Sequence, residues 1–300
     1  MSQVREINVN TISAAVADLC KHTNFELPAD FVGALRSAGQ RERSPRGRQV
    51  LQLLDVNQAL SRRTEVPTCQ DTGFVLVFAE LGQDARVVGE ISANEPAGAG
   101  VAFASSLLEM AIQHGVAKGY TDNYLRASIV SDPLFGRANT RDNTPAVVHV
   151  ELVPGDALKL TLLVKGAGSE NSTALGMLTP AHGPEGVIQF IVQSVVKAGP
   201  NSCPPLVVCV GVGGTADKAM LLAKKASLRK IGSPNADPRL TEFEARILEA
   251  VNATGIGPQG YGGIVTALAA HVETYPTHIA SLPVAVNLQC HAVRHQEVTL

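Results

Sequence analysis

The spacing of apolar residues changes character along the chain. Ile12, Val16, Leu19 and Cys20 fall on one face of a helix, and Val50, Leu51, Leu53, Leu54 and Val56 repeat that pattern after Ser44-Pro45. This periodicity predicts a helical segment over about 1–63. The unbroken run GFVLVFAELG (73–82) then predicts a buried strand, and a Gly/Ala-rich stretch from about Gly100 to His114 predicts another helix.

The second half alternates strand and helix signals. Two apolar runs in AVVHVELVPGDALKLTLLV (146–164) flank Pro154-Gly155-Asp156, which predicts a β-hairpin. KGAGSENS (165–172) reads as a polar Gly-rich loop. PEGVIQFIVQSVVKAG (184–199) reads as a helix with Pro at its start and Gly past its end. PLVVCVGVGGTADKAMLLAKKA (205–226) reads as strand, Gly loop and helix. Thr241 and Glu244 have capping-box spacing for a helix that stops near Gly255, and GIGPQGYGG (255–263) reads as another Gly loop. With no internal repeat and no long linker, residues 1–300 read as one mixed α/β (α+β) domain. The expected architecture is N-terminal helices and a central sheet with a hairpin, with Gly-rich loops gathered around a polar site.

Composition adds constraints. Of 300 residues, 45% are hydrophobic and only 4% aromatic, with no Trp, so the core must be aliphatic. The net charge of −2 supplies no basic field for nucleic acid, and RERSPRGR (41–48) reads as the solvated start of a helix. No apolar run reaches membrane length. Five widely spaced cysteines argue against a disulfide framework, which predicts a soluble protein in a reducing, cytoplasmic compartment.

Two cysteines suit packing: Cys20 on an apolar helix face and Cys209 inside LVVCVGV. Cys69, Cys203 and Cys290 lie beside polar residues or proline at expected loops and strand ends. Three such thiolates could hold a [4Fe–4S] cluster whose fourth iron stays open, or they could be unrelated free cysteines. Zinc-type ligand pairs are absent. Asp71-Thr72-Gly73 matches the aspartic-protease triplet, but that chemistry needs a second carboxylate and the chain has no second copy. GVGGTA (211–216) fits a dinucleotide fingerprint without the acidic strand end that should follow. It is either an anion-favouring helix start or a plain tight turn. Arg126 is either a surface ion-pair partner or a clamp on a carboxylate, and His278 either a satisfied histidine or an acid/base.

Together, TCQDTG, KGAGSEN, SCPP with GVGGT, GIGPQG and PTHIA…LQC resemble, in content and order, the class I fumarate hydratases. More narrowly, the chain resembles the α subunit of the two-subunit form, whose close relative is the L-tartrate dehydratase α subunit. The resemblance runs from the N-terminal helices to about Arg294. It implies an oxygen-sensitive [4Fe–4S] cluster on Cys69, Cys203 and Cys290, with the open iron taking the substrate's hydroxyl and carboxylate. It implies substrate contacts from Gln70, Arg126 and Gly168, and acid/base roles for Asp71 and His278. The implied reaction is hydration of fumarate to L-malate in the tricarboxylic acid cycle, with L-tartrate dehydration to oxaloacetate as the alternative. The segment SEN after Gly168 looks more like the fumarate type, whereas Ala167 departs from a common run of glycines. A separate β subunit is implied, in an α2β2-type assembly, because single-chain relatives complete the site with arginines, a lysine and a threonine from a further domain. A cluster-free carboxylate-binding module is the rival from another class.

Overall fold

The computed structural model describes residues 4–91 and 99–300. The chain divides into two compact units. The first comprises Met1–Leu27, Leu60–Gly166 and Arg294–Leu300; the second comprises Pro28–Ala59 and Ala167–Val293.

In the first unit, β1 (Arg5–Asn8) pairs in parallel with β3 (Ala85–Val88). Helix α1 (Val9–Phe25) starts where the Asn8 side chain accepts the N–H of Asn10, a direct N-cap. Helix α4 (Leu107–Asp122) packs on α1. Both lie on a four-stranded sheet ordered β10 (His295–Thr299), β5 (Leu158–Lys165), β2 (Phe74–Gly82), β4 (Val147–Val153). Alternation sets the core: Val75 and Val77 of β2 and Leu160 and Leu162 of β5 face Ile12, Val16, Ile112 and Val116.

In the second unit, α2 (Ala29–Arg41) leads into α3 (Pro45–Thr64), whose last turns belong to the first unit. Its sheet is ordered β6 (Ala174–Leu178), β9 (Leu282–Gln289), β7 (Leu206–Gly213), β8 (Ala267–Tyr275). Val208, Val210, Val284 and Val286 point to α6 (Gly183–Ala198) and α8 (Pro238–Asn252). On the other face Ala285 packs under Ala219 and Ala223 of α7 (Ala216–Ala226). The result is a sheet covered by helices on both faces.

The expected class holds, as do β2, α6, the β7–loop–α7 unit and a mainly helical segment over about 1–63, which the strand β1 precedes and which divides into α1, α2 and α3. Four local readings need correction. The runs around Pro154-Gly155 are strands, but they do not pair with each other. β2 lies between them, parallel to β4 and antiparallel to β5. A β2 buried along most of its length gains a full ladder on both edges this way. The helix expected at 100–114 is displaced. A short 3-10 turn covers Ala99–Phe103, and α4 starts only after Ser106, whose hydroxyl accepts the N–H of Glu109. KGAGSENS contains one helical turn, α5 (Ala167–Glu170). Thr241 and Glu244 do not cap α8. Asp237 does, while Thr241 binds Asn235 and Glu244 pairs with Arg229 and the Val272 N–H.

Candidate functional site

In the first unit the chain leaves α3 through VPTCQDTG and enters β2. Gly73 has φ +67°, and a Cβ there would sit 2.6 Å from the Lys165 carbonyl oxygen. Glycine is therefore required for both the turn and the close approach. Asp71 builds its own local turn, with Oδ1 accepting the Gly73 N–H at 3.0 Å. Its N–H points at the Cys69 sulfur, 3.4 Å away. Cys69 is half-buried, and its thiol lies 3.5 Å from Gln70 Oε1.

Buried donors hold this turn in place. Tyr120 donates its hydroxyl to the Thr72 carbonyl, and burial holds that phenol well above its ordinary range. Arg294, only 1% exposed, donates from Nη1 to the Asp71 carbonyl at 2.7 Å and to Asn24 Oδ1 at 3.3 Å. A Cβ on Gly166 would lie 3.3 Å from Asp71 Oδ2 and 3.4 Å from Arg294 Nη2, so the bare Gly166 backbone lines the carboxylate. Thr72 Oγ1 donates to the Arg126 carbonyl at 2.6 Å, which brings Arg126 to the turn across 54 positions. The Arg126 side chain is exposed and forms no ion pair among the described residues.

In the second unit, Cys203 sits at φ +54° just after the turn 199–202, ahead of a cis Pro204–Pro205 peptide. Cys290 follows the end of β9. The two meet through their neighbours. His291 donates its N–H to the Cys203 carbonyl at 3.1 Å. Gln259, in the GIGPQG loop, reaches the Pro204 carbonyl from Nε2 at 2.6 Å and His291 Nδ1 at 3.1 Å. Cys203 and Cys290 form no disulfide and are half-buried, whereas Cys20 and Cys209 are buried as packing residues. Gly168, in α5, packs against the Asn201 carbonyl two positions before Cys203.

His278 and Cys290 lie at opposite ends of β9. His278 lies before its start, and the eight residues of that strand separate it from Cys290 by about 25 Å. Its Nδ1 accepts the Ala280 N–H at 3.2 Å, which leaves Nε2 as the protonated nitrogen. It lines a cavity of about 780 Å³ with Phe243, Ile279 and Leu282. The GVGGTA loop is held by this same segment, since Gly214 donates to the Pro276 carbonyl and Thr277 Oγ1 to the Gly214 carbonyl. It behaves as a tight turn.

Among the described residues no three His, Cys, Asp or Glu side chains are gathered for a single metal ion. The donor chemistry fits an iron–sulfur cluster better. His291 Nδ1 is engaged by Gln259 and the Cys203 carbonyl, leaving thiols as the soft donors at that end.

Residues 13–299 match the sequence family described as "Fumarate hydratase (Fumerase)". The chain belongs to that family. It is 37% identical over 287 residues to the Methanocaldococcus jannaschii protein named "Putative L(+)-tartrate dehydratase subunit alpha", covering 94% of this chain and 95% of that one. It is 30% identical over 290 residues to the L(+)-tartrate dehydratase subunit alpha of Escherichia coli (strain UTI89 / UPEC), covering 95% and 89%. Sequence reasoning found the cysteine turns but missed Gln259, Arg294, Tyr120 and Asn24, whose roles depend on partners far along the chain. None of the described helices is long and apolar enough to cross a membrane.

Proposed function

We propose that this chain is the α subunit of an iron–sulfur hydro-lyase that adds or removes water across a four-carbon dicarboxylate. The observation that carries the reading is the convergence of the Cys203 and Cys290 segments on His291 and Gln259. Family membership and the subunit names of the relatives support it. Cys69, Cys203 and Cys290 would hold a [4Fe–4S] cluster. When bound, that cluster supplies an open, Lewis-acidic iron for the substrate's oxygen.

The remaining work falls to side chains. Asp71 is oriented by the Gly73 N–H and lined by the Gly166 backbone, which suits its carboxylate to proton transfer at the carbon beside a substrate carboxylate. Arg126, exposed and without an ion pair among the described residues, suits a substrate carboxylate, with Gln70 and the Gly168 backbone as polar contacts. His278 lies before the start of β9 and Cys290 after its end, so its acid/base role is assigned to the assembled enzyme, in which a second chain can bring it to a substrate. The remaining cations and the second proton-transfer group would come from a β subunit, which the relatives' names also imply.

Two substrates fit this class. L-tartrate has the support of the relatives' names. Fumarate has that of the family name and of the segment SEN at 169–171. The test is iron and acid-labile sulfide per chain after anaerobic purification, on wild type and Cys69→Ser. The co-expressed α and β chains would then be assayed on both substrates. About four iron and four sulfide in the wild type, with loss in the variant, is the expected result. A chain that takes up no iron in the presence of its β subunit would leave the cluster-free carboxylate-binding module.

A further inference from the structure

Residues 126–143 form an arm whose root, shaft and tip are each built by named contacts. At the root, Thr72 holds the Arg126 carbonyl, while Asn143 donates to the Gly73 carbonyl at 2.9 Å and accepts the Ser128 N–H at 2.8 Å. The arm therefore grows from the same turn that carries Cys69 and Asp71. Along the shaft, Val130 and Asn139 form an antiparallel bridge, with Ser131 N–H bonded to the Ala138 carbonyl. At the tip, the Asp132 carboxylate accepts the N–H groups of Leu134, Phe135 and Gly136, and Arg137 reaches back to the Pro133 carbonyl.

This stiffened tip presents Leu134 and Phe135 to solvent at 76% and 89% exposure. Two neighbouring large apolar side chains on a braced turn are costly to leave in water, and they are already ordered for insertion. Around them the arm carries three arginines and two aspartates, an excess of one positive charge. Arg137 and Arg141 are exposed and form no ion pair among the described residues. Asp132 and Asp142 are the arm's only carboxylates, and both are occupied by local N–H and hydroxyl donors.

We propose that this arm is the docking finger for the β subunit, with Leu134 and Phe135 filling an apolar pocket whose acidic rim meets Arg137 and Arg141. The proposal rests on the hydro-lyase reading above. It explains why the finger is anchored on the catalytic turn: whatever seats on the tip is registered against Asp71 through a short, hydrogen-bonded shaft. A second copy of this chain is the poorer occupant, because a two-fold contact through the arm would set its arginines against their own copies.

The test compares wild type, Leu134→Ser/Phe135→Ser and Arg137→Glu/Arg141→Glu, each as full-length α chain titrated with the β subunit from the same organism. Both double variants should bind β at least about 30-fold more weakly, the loss expected for removing an interface anchor. The arginine variant should also lose most of the salt dependence of binding. Thermal melting and iron content of the isolated α chains should stay unchanged. Unchanged β affinity in both variants, with active wild-type complex, overturns the docking finger and leaves the hydro-lyase reading standing. Loss of α self-association with intact β binding assigns the finger to a second copy instead. Absence of any wild-type α–β complex and of hydro-lyase activity overturns the functional reading, and the finger's assignment with it.

Discussion

The N–H of His291 donates to the carbonyl of Cys203 at 3.1 Å, although 88 positions separate the two residues. That bond places the end of β9 against the turn that precedes β7, so two of the three candidate ligand cysteines share one local frame. The GIGPQG loop closes the frame, because Gln259 binds on both sides of it. Preorganised thiols spare a cluster the cost of ordering its own ligands.

Gln259→Met keeps the length of the side chain but removes both donors. The backbone bond from Gln259 N–H to the Pro204 carbonyl remains, so the expected stability loss is about 1–2 kcal/mol. The effect on the thiols should be disproportionate. In the metal-free chain, mass-spectrometric alkylation of Cys203 and Cys290 should change in rate, while that of Cys69 should not. Identical rates at all three cysteines would show that Gln259 does not position the pair.

Gly166→Ala tests the backing of Asp71. The added methyl would meet Asp71 Oδ2 and Arg294 Nη2 at 3.3–3.4 Å, a contact tight enough to move the carboxylate by a few tenths of an ångström. Small displacements of a reacting group are expensive, so kcat/KM of the α–β complex should fall by about tenfold or more. Stability should change by only about 1 kcal/mol. A variant that loses stability but keeps its rate would remove Asp71 from the chemistry.

Glu42 gives the second unit a pH dependence. It is 2% exposed at the corner between α2 and α3. Burial alone would raise its pKa, but N–H donors from Ser44, Ile264, Val265 and Arg43 outweigh it and hold the carboxyl below its ordinary 4.5. With the folded pKa depressed, the unfolded chain binds the extra proton first. The stabilisation is therefore present above about pH 4.5 and is lost as pH falls through the folded value. Glu42→Gln should destabilise by about 2 kcal/mol at neutral pH and flatten the acid limb of the melting curve. An unchanged acid limb would mean that other carboxylates govern it.

What could be read from the sequence divides along physical lines. The α6 helix, with Pro184 near its start and Gly199 past its end, was legible because its signals are local. So were the loop positions of Cys69, Cys203 and Cys290, since a thiol beside Pro, Gln or Asp breaks an apolar run. The Pro154-Gly155 turn was visible, but not its consequence. Whether two strands pair depends on a third, β2, that competes for both edges. Thr241 and Glu244 had the spacing of a cap, yet Asp237 started the helix and a distant Arg229 claimed Glu244. Arg294 and Asn24 touch across 270 positions, and Glu42 and Val265 across 223. No local pattern encodes such pairs.

One such pair links the candidate substrate turn to a cysteine-bearing strand. Lys224 of α7 pairs with Glu170 of α5, and Asn287 of β9 donates to the same carboxylate at 3.3 Å and to Thr173 Oγ1 at 2.7 Å. Burial pushes the Lys224 ammonium pKa down, with Glu170 opposing the shift. Glu170 lies two residues past Gly168, and Asn287 three before Cys290, so the ion pair ties the turn to the strand. Lys224→Met should destabilise the unit by about 2–3 kcal/mol, less than a fully buried pair because Glu170 remains 30% exposed. Adding Glu170→Gln to that variant should restore part of the loss, since no unpaired charge is then left behind. A double-mutant cycle by denaturant unfolding reads the coupling directly. Purely additive losses would show that the two side chains are neighbours without being partners, and that Gly168 is positioned by its packing on Asn201 alone.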